Sequence, residues 1–431
     1  MRFSVYAVCA AGSTNSICRR AKSDIRPAIP PALCACGMEI NMKVLIYKWK
    51  VYNYPAITAA FESMGHRTKT IEYDTDSGES RQAVVEGFAD EINDFTPDIV
   101  FTVNYFGELS DACQTCGIPY ISWTCDSPLI AMYHESVFND VNFIFIFDKV
   151  QYYYFKNAGV RHVYYLPLAA DELMAARAED IDTTGFESEI SFVGSLYEKN
   201  SYDRIEDRLT PYLKGYFDAA MNAQADIFGD NIFDRLLTPD ILAQLSQLID
   251  FKNSERSLSD MGLVFNTTFL GFKMAQRERI GCLSLLGMNH EVKLYTDSHL
   301  PIEGVHNMGS VEYHNDMPRV FCGSDINMNF TIRNIRSGIP LRVWDIMACG
   351  GFVLTNFQAE LPAYFEDGVH MAWFGSIDDM RRKADYYLAH DDERRQIAEQ
   401  GRRFVMQNHT YRNRIEVIFN ILEKEGAIYE Q

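Results

Sequence analysis

The sequence lacks several features that would place it in a familiar class. No stretch reaches the ~18 consecutive apolar residues that a membrane-spanning helix needs. Basic residues number 40 against 59 acidic ones, so the formal charge is −19, and the chain lacks the positive field that broad binding to nucleic acid or anionic membranes requires. No G-x-G-x-x-G pattern follows a first strand, which argues against an oxidoreductase built on paired nucleotide-binding folds.

The ten cysteines form no metal-binding pattern. Cys113 and Cys116 make a lone C-x-x-C, whereas a structural zinc site needs two further ligands at matching spacing. Two half-buried cysteines on a helix are the favoured interpretation. The ten histidines include no H-E-x-x-H motif, so no zinc site is predicted. Reduced cysteines, together with the lack of an export signal, predict a cytoplasmic protein.

The overall composition is that of a folded protein. Its 431 residues are 47% hydrophobic and 23% charged, which suggests two or three globular domains. Residues 1–41 differ, because five basic and two acidic side chains give them a charge of +3 and leave −22 on residues 42–431. We expect 1–41 to be a disordered tail or an upstream extension before a natural start at Met42. A poor lipoprotein-type signal around Cys9 is the lesser alternative.

From Met42 onward, short apolar runs alternate with amphipathic helical patterns. The predicted strands are Lys43–Tyr47, Thr68–Tyr73, Asp98–Val103, Ile118–Trp123, Asn142–Phe147, Val163–Leu166, Glu189–Val193, Glu291–Thr296, Ile326–Phe330 and Gly351–Leu354. Such alternation implies parallel sheets covered by helices on both faces. The stretch from Asp171 to Ser188 has no strand character and divides the chain into two α/β halves.

The predicted domains follow from this division. An N-terminal domain covers 42–185, a C-terminal domain covers 186–408, and a final helical segment covers 409–431. Within the second domain, residues 202–285 are predicted to be a helical elaboration with a break near 251–260, because their leucines follow no strict heptad.

The segment from Ile326 to Asn356 carries the densest chemical signal. A strand leads into a loop with Gly338 and Pro340, and a helix is predicted to begin near Leu341. The free backbone N–H groups and the positive dipole at such a helix start favour an anion, typically a phosphate. The sequence therefore predicts a phosphate site here, with a well-capped helix as the plain alternative.

Charged side chains around this helix support an anionic ligand. Arg342 lies in the first turn, where a cation is unfavourable unless an anion is bound. Arg333 and Arg336 lie just upstream, and we expect all three arginines to gather beside the helix. Asp345, about one turn further on, could accept hydrogen bonds from a ribose diol. Surface arginines on an ordinary helix are the alternative.

This segment resembles the signature of glycosyltransferases of GT-B architecture, which in their large retaining group reads E-G-F-G-L-x-x-x-E-A-M-A-C-G. The matching register runs from Ser337 to Gly350. The second carboxylate of the signature, which contacts the donor ribose, falls on Asp345, while the first falls on Ser337 and is lost. A retaining or inverting outcome is therefore left open. The residues that the resemblance implies for donor binding are Arg333, Ser337, Gly338, Ile339, Pro340, Arg342 and Asp345.

A closer resemblance is to the CgeB-like group, named after a spore-maturation protein. Gly338–Asn356 follows its pattern almost throughout, reading here GIPLRVWDIMACGGFVLTN, and the resemblance extends over most of 42–420. It implies the GT-B fold of the α/β class, with two Rossmann-like domains facing across a cleft. The C-terminal domain would bind a nucleotide-sugar donor and the N-terminal domain an acceptor, and the helix Tyr411–Leu422 would pack back on the N-terminal domain.

The start of the second half is also expected to contact the donor. Gly194 follows a predicted strand, and a glycine there lets a backbone N–H approach an anion closely. Many GT-B enzymes have G-R-L followed by a lysine at this point, where the basic residues hold the diphosphate. The resemblance implies donor contacts at Ser195, which replaces the arginine, and at Lys199 and Arg204. For the last two, a solvated helix start is the alternative.

On the N-terminal side, Asp126 follows the strand that ends at Trp123. A carboxylate at the carboxyl end of a strand lies where α/β sheets bind ligands, and an inverting transfer needs a base beside the acceptor hydroxyl. Asp126 is the first candidate for that base, with a turn-capping aspartate as the alternative. His134 is the second candidate, against a surface helix histidine. Asn104, Tyr105 and Trp123 are expected to line the acceptor cleft.

One acidic motif has the form of a metal site but is not interpreted as one. Asp74-Thr75-Asp76 has the D-x-D form that metal-dependent glycosyltransferases of the other architecture use. It follows the second strand too early, however, and such a pattern is frequent by chance in an acidic chain. No metal ion or other cofactor is therefore expected, since positive groups at the diphosphate can stabilise the leaving group.

The sequence thus predicts a metal-independent glycosyltransferase that uses a nucleotide sugar and an unknown acceptor, which could be a surface glycan, a spore coat component or a protein. The alternative is a non-catalytic protein of a coat or surface layer that binds a sugar nucleotide or a glycan, and the lost carboxylate at Ser337 supports it.

Overall fold

The computed structural model describes residues 41–72, 80–252 and 256–428. The D-x-D motif at 74–76 and residues 1–40 of the expected tail lie outside these ranges. Within them, no helix combines the length and the apolar character that crossing a membrane requires.

The first half of the chain forms a six-stranded parallel sheet in the order β2-β1-β3-β4-β5-β6. Its strands are β1 (Lys43–Tyr47), β2 (Arg67–Ile71), β3 (Ile99–Val103), β4 (Tyr120–Trp123), β5 (Asn142–Ile146) and β6 (Val163–Tyr165). Its helices are α1 (Tyr54–Ser63), α2 (Arg81–Phe95), α3 (Gly107–Cys116), α4 (Lys149–Asn157) and α5 (Glu172–Arg177), with 3-10 turns at Ile130–Met132 and Glu135–Phe138. Every residue of β3 is buried, as expected for a parallel strand covered on both faces.

The second half forms another six-stranded parallel sheet, in the order β12-β11-β10-β7-β8-β9. Its strands are β7 (Ser188–Val193), β8 (Val292–Tyr295), β9 (Val305–Asn307), β10 (Ser324–Asn329), β11 (Val353–Asn356) and β12 (Ala372–Phe374). Its helices are α6 (Pro211–Ala225), α7 (Phe233–Leu236), α8 (Pro239–Leu245), α9 (Met261–Val264), α10 (Phe272–Gly287), α11 (Asp316–Gly323), α12 (Leu341–Ala348), α13 (Leu361–Tyr364), α14 (Ile377–Ala389), α15 (Asp391–Asn408) and α16 (Tyr411–Lys424). A 3-10 turn covers Glu206–Arg208, and a π-helical turn covers Phe265–Gly271.

Each sheet has a point where the strand order reverses. In the first sheet it lies between β1 and β3, and in the second between β7 and β10. The carboxyl ends of strands beside such a point leave a crevice that α/β proteins use for ligands. The fold therefore places candidate ligand-binding loops directly after these strands.

Helix boundaries follow ordinary capping chemistry. The side chain of Asp148 accepts a hydrogen bond from the Val150 N–H at the start of α4, and Ser376 accepts one from the Asp379 N–H at the start of α14. Each contact satisfies a backbone N–H that the helix itself leaves free.

The last helix, α16, packs on the first half. Its Phe419 ring meets Phe61 of α1 edge-on, with ring centroids 6.0 Å apart, and the buried Ile415, Ile418 and Leu422 belong to the same core cluster as Phe61. This core contains apolar residues of both halves. Burial of this apolar stripe holds the end of the chain against the N-terminal sheet.

The structure differs from the sequence prediction in two places. The stretch 202–285 is mostly helical but is divided into separate helices of 4 to 16 residues, because prolines start α6 and α8 and the π-helical turn interrupts the run into α10. The strands β9 and β12 were not predicted. Each has three residues, and β9 is partly exposed at a sheet edge, so neither gives a clear apolar run.

Candidate functional site

A cavity of about 600 Å³ lies between the two halves. On the first half it is lined by residues 125–131, which follow β4. On the second half it is lined by 192–194 at the end of β7, by 329–332 at the end of β10, and by the start of α12. Its walls are therefore the carboxyl ends of strands from both sheets, including the reversal point of the second sheet. This volume suits a ligand of nucleotide-sugar size.

Two arginines line this cavity. Arg342 is in the first turn of α12, and Arg279 comes from α10. The Arg279 guanidinium donates to the carbonyl oxygens of Ser195 and Phe330, the latter at 2.8 Å. Burial lowers its pKa, Tyr197 and Glu278 oppose that shift, and the positive charge of Arg342 adds to it. Two arginine side chains on one wall would favour an anionic ligand in this part of the cavity.

Arg279 was not predicted from the sequence. Its guanidinium also lies over the rings of Phe192 and Tyr197, at 5.2 and 4.9 Å from their centroids. A Cβ on Gly194 would lie 3.7 Å from Arg279 Nη1 and 3.1 Å from the Phe192 ring. A Cβ at this position would crowd the Phe192 ring, whereas its distance to Arg279 is an ordinary contact. Gly194 lines the cavity, and its contact with a donor stays a prediction.

The start of α12 contributes backbone polarity to the same wall. The helix begins at Leu341, as predicted, and Pro340 occupies the N-cap position with no side-chain cap. Pro340 and Arg342 both line the cavity. Because an uncapped helix start presents free N–H groups and a positive dipole end, it adds to the attraction for an anion.

Asp126 lines the opposite wall, on the loop after β4. Its carboxylate accepts a hydrogen bond of 2.7 Å from the Asn104 side-chain amide. Although Asp126 is an exposed residue at the cavity, partial desolvation by the surrounding protein raises its pKa, while the bond from Asn104 lowers it. A carboxylate with a raised pKa that is reachable from a cavity can serve as a general base.

Asp345 lies beneath the cavity wall and is 1% exposed. It accepts hydrogen bonds from the Tyr313 hydroxyl at 3.0 Å and from Arg342 Nη1 at 3.2 Å. Tyr313 in turn stacks on Tyr52 of the first half, with centroids 5.2 Å apart. Asp345 is not among the residues that line the cavity, so the predicted contact with a ribose requires Tyr313 to release this carboxylate.

Replacing Asp345 with Asn should change stability in a pH-dependent way. Burial raises the pKa of Asp345 from 3.8 to about 7. Between these values the folded protein holds a proton that the unfolded chain has released, so wild-type stability falls as the pH rises through this window. Asparagine does not titrate. The difference in melting temperature, Asp345→Asn minus wild type, should therefore be larger and more positive at pH 8 than at pH 5.

Thermal unfolding at both pH values measures this effect. Asp140→Asn is a suitable control, because the Asp140 side chain is 73% exposed. A difference between Asp345→Asn and wild type that does not change with pH would show that Asp345 titrates normally.

Two predicted arginines do not lie on the cavity. Arg333 is buried and forms an ion pair of 2.8 Å with Glu278, and Arg336 pairs with Asp234 and donates to the Asn231 carbonyl. The expectation that three arginines gather at the helix start is therefore wrong for these two. Their charges are already compensated, because short ion pairs with carboxylates of the second half hold them away from the cavity.

Ser337 lies at the contact between the halves. Its hydroxyl is 2.9 Å from Asp148 Oδ1 and 2.6 Å from Glu360 Oε1, and Glu360 also accepts the Lys149 N–H at 2.9 Å. A Cβ on Gly338 would lie 2.8 Å from the Phe147 ring of the first half. Ser337 and Gly338 thus contact the first half of the chain. They are not available to a donor in this conformation, because the hydroxyl is already bonded and Gly338 packs directly on the Phe147 ring.

The remaining predicted donor residues also lie off the cavity wall. Ile339 is buried at 2% exposure and packs in the core shared by the halves. Ser195 is exposed, and its carbonyl accepts from Arg279. Lys199 and Arg204 are exposed side chains that do not line the cavity. The structure therefore supports the solvated alternative for Lys199 and Arg204.

The other N-terminal candidates are structural in this conformation. His134 bonds the Ser136 hydroxyl at 2.8 Å and does not line the cavity, so it is not placed to act as a base. Tyr105 is buried and donates to Ser136. Trp123 is buried and donates to the Leu166 carbonyl. Neither ring reaches the cavity wall, because both side chains point into the core of the first half.

Other cavity residues carry no sequence signal. Thr267 and Thr268 come from the π-helical turn, and Asn329 and Thr331 come from the end of β10. Their residue types are common in ordinary loops, and only the fold brings them together.

In the described ranges, no group of three or more histidine, cysteine, aspartate or glutamate side chains is placed to hold a metal ion.

Two parallel six-stranded sheets with helices, and a cavity at their facing carboxyl ends, define the two-domain α/β fold of GT-B glycosyltransferases. The solved structure of sucrose-phosphate synthase from Thermosynechococcus elongatus matches with a TM-score of 0.51 at 8% identity, covering 90% of this chain and 100% of that one. A glycosyltransferase from Rickettsia africae matches with a TM-score of 0.49 at 10% identity, covering 89% and 99%. The structure of HepE from Anabaena in complex with UDP and glucose matches with a TM-score of 0.45 at 11% identity, covering 90% of this chain and 100% of that one.

At 8% identity, the likeness to sucrose-phosphate synthase shows the fold alone. Residues 279–420 match the protein family described as glycosyl transferase-like, so the second half carries a glycosyl transferase-like domain. The matched region begins at Arg279 and includes Arg342 and Asp345. Among curated proteins, none matches this sequence significantly.

Proposed function

We propose that this protein is a glycosyltransferase that transfers a sugar from a nucleoside diphosphate donor to an acceptor hydroxyl. The observation that carries the proposal is the pair Arg279 and Arg342, which faces Asp126 across one cavity at the carboxyl ends of both sheets. An anion-binding wall and a carboxylate on the opposite wall are the two parts that such a transfer requires.

On the donor side, the diphosphate would bind between Arg279 and Arg342, beside the start of α12. As the bond from the anomeric carbon to the diphosphate oxygen breaks, negative charge develops on the leaving group. The two guanidinium groups and the N–H groups of the helix start would stabilise that charge. We therefore propose a reaction that needs no metal ion, with the arginines in that role.

On the acceptor side, Asp126 would remove the proton from the attacking hydroxyl. Its raised pKa strengthens it as a base, since an effective general base has a pKa near the working pH. This role belongs to an inverting transfer, and we propose that outcome. The match of residues 338–356 with the CgeB-like pattern supports the finer assignment to that group, with a glycan or protein acceptor in the cytoplasm.

One observation favours a second candidate, a non-catalytic binder of sugar nucleotides or glycans. Ser337 stands where the retaining signature has its first carboxylate, and its hydroxyl is bonded to Asp148 and Glu360. A protein that had lost catalysis but kept donor binding would retain the arginine pair and the cavity. The two candidates differ in turnover, not in binding.

A thermal-shift screen tests donor binding. UDP-glucose, UDP-N-acetylglucosamine, GDP-mannose and ADP-glucose are suitable probes, because a ligand that binds the folded state raises the melting temperature by mass action. At a concentration of 100 Kd, stabilisation should reach about 2.7 kcal/mol. We expect at least one donor to raise the midpoint and to release its nucleoside diphosphate on incubation. Binding without release would favour a non-catalytic binder of sugar nucleotides, and no shift with any of the four probes would contradict the donor site.

A further inference from the structure

Asn104 links the end of β3 to the loop that carries Asp126. Its side-chain oxygen accepts the backbone N–H groups of Cys125 at 2.9 Å and Asp126 at 3.3 Å. Its side-chain nitrogen donates to Asp126 Oδ2 at 2.7 Å. One amide thus holds both the backbone and the carboxylate of Asp126, and the two N–H donors fix which end of the amide is the oxygen.

The backbone of Asn104 is in an unusual conformation. Its φ angle is +65°, in the left-handed region where asparagine is one of the few tolerated side chains. The Thr102 and Ser122 hydroxyls donate to its carbonyl at 2.6 and 3.1 Å, and its N–H donates to the Trp123 carbonyl at 2.9 Å. Neighbouring strands therefore maintain this conformation, which turns the side chain toward Asp126. Such conformations occur often at functional sites.

We infer that Asn104 is a positioning residue, which orients the Asp126 carboxylate toward the acceptor hydroxyl by fixing its loop and one of its oxygens. Oδ2 is occupied by the amide, so Oδ1 is the oxygen that takes the proton. The inference rests on the proposed function for its catalytic meaning. The sequence prediction placed Asn104 in the acceptor cleft, whereas the structure buries it at 2% exposure behind Asp126.

Other charged groups could also influence Asp126. Arg279, Arg342 and Tyr197 line the cavity from the second half, and the Cys125 thiol is adjacent in the chain. The Asp148 carboxylate accepts from the neighbouring Ser127 hydroxyl. Because Asn104→Gly introduces no charge and leaves all five groups in place, a change in the titration of Asp126 in that variant can be assigned to the lost amide.

Asn104→Gly and Asn104→Asp test the inference. Glycine adopts the left-handed conformation without strain and removes the side chain. Aspartate keeps an oxygen for the two backbone N–H groups but cannot donate to Asp126 when ionised. Thr124→Val is the matched control, since the buried Thr124 hydroxyl in the same loop has no hydrogen-bond partner within the described ranges.

The first measurement does not depend on activity. The titration of Asp126 is followed by NMR in full-length protein labelled with ¹³C at aspartate Cγ, and its signal is assigned by its loss in Asp126→Asn. Because the Asn104 N–H stabilises the ionised form, Asn104→Gly should raise the midpoint by about one pH unit. Asn104→Asp should raise it further, since it also places a second carboxylate beside Asp126, and Thr124→Val should leave it unchanged. An unchanged midpoint in a folded Asn104→Gly protein would overturn the inference.

The second measurement is release of nucleoside diphosphate from the donor that the thermal-shift screen identifies. Asn104→Gly should lower kcat on the order of 10²-fold, as misplacement of a catalytic group does, with little change in donor KM, and the acid limb of its pH profile should move to higher pH. A lower kcat without that displacement would contradict the inference. If wild type turned over no donor while the midpoint still rose, the proposed function would fail and the positioning contact would stand.

Discussion

Asp126→Asn is expected to reduce transfer on the order of 10²- to 10⁴-fold, the usual contribution of a general base. Asparagine has nearly the same shape, and its side-chain oxygen can still accept the hydrogen bond from Asn104. It cannot take a proton from an acceptor hydroxyl. Donor affinity should change little, because the diphosphate would bind on the opposite wall, at Arg279 and Arg342. Steady-state kinetics and calorimetric titration of the same donor measure the two quantities separately.

Asp140→Asn provides a matched control for this substitution. Asp140 is an exposed aspartate of the same half, in a surface pair with Arg161 at 3.4 Å, and such pairs contribute little to stability. Its loss should leave both kinetics and affinity near wild type. Wild-type rates in Asp126→Asn would exclude Asp126 as the base. A large loss of donor affinity would instead indicate that Asp126 contacts the donor directly.

Arg279→Met and Arg342→Met should each weaken donor binding by about 10- to 100-fold, which corresponds to the ~1.5–3 kcal/mol of a hydrogen bond to a charged group. Methionine keeps much of the aliphatic length and removes the guanidinium. The effect should diminish as salt concentration rises, because the lost contact is electrostatic. Arg342→Met also removes a partner of Asp345, so its stability should be measured beside its affinity.

Arg277→Met is the control for the arginine variants. Arg277 lies two residues before Arg279 on α10, is exposed, and contacts Asn222 at 2.8 Å, away from the cavity. Its substitution should leave the dissociation constant unchanged. Equal losses in Arg277→Met and Arg279→Met would indicate a general effect of charge, and unchanged affinity in both cavity variants would reject the donor site.

Much of the fold could be predicted from the sequence because its strands are short apolar runs between helices. Lys43–Tyr47 was predicted with the bounds that the structure shows, and the start of α12 at Leu341 was also predicted correctly. Glycine and proline before a periodic apolar run mark such a helix start clearly. The three-residue strands β9 and β12 gave no comparable pattern, because pairing with neighbouring strands defines them.

The site was less predictable, because its members come from distant parts of the chain. Arg279 belongs to a helix that also carries Lys273 and Arg277, and no local pattern distinguishes the arginine that faces the cavity. Arg333 and Arg336 are close to α12 in sequence, yet Glu278 and Asp234 bind them elsewhere. Proximity along the chain was therefore a poor guide to proximity in the cavity.

A structure of the protein bound to the donor identified in the screen tests the central claim most directly. The account predicts that the diphosphate oxygens lie within hydrogen-bond distance of Arg279 and Arg342 at the start of α12, with the anomeric carbon facing Asp126 across the cavity. A diphosphate bound elsewhere, or an anomeric carbon that points away from Asp126, would contradict it.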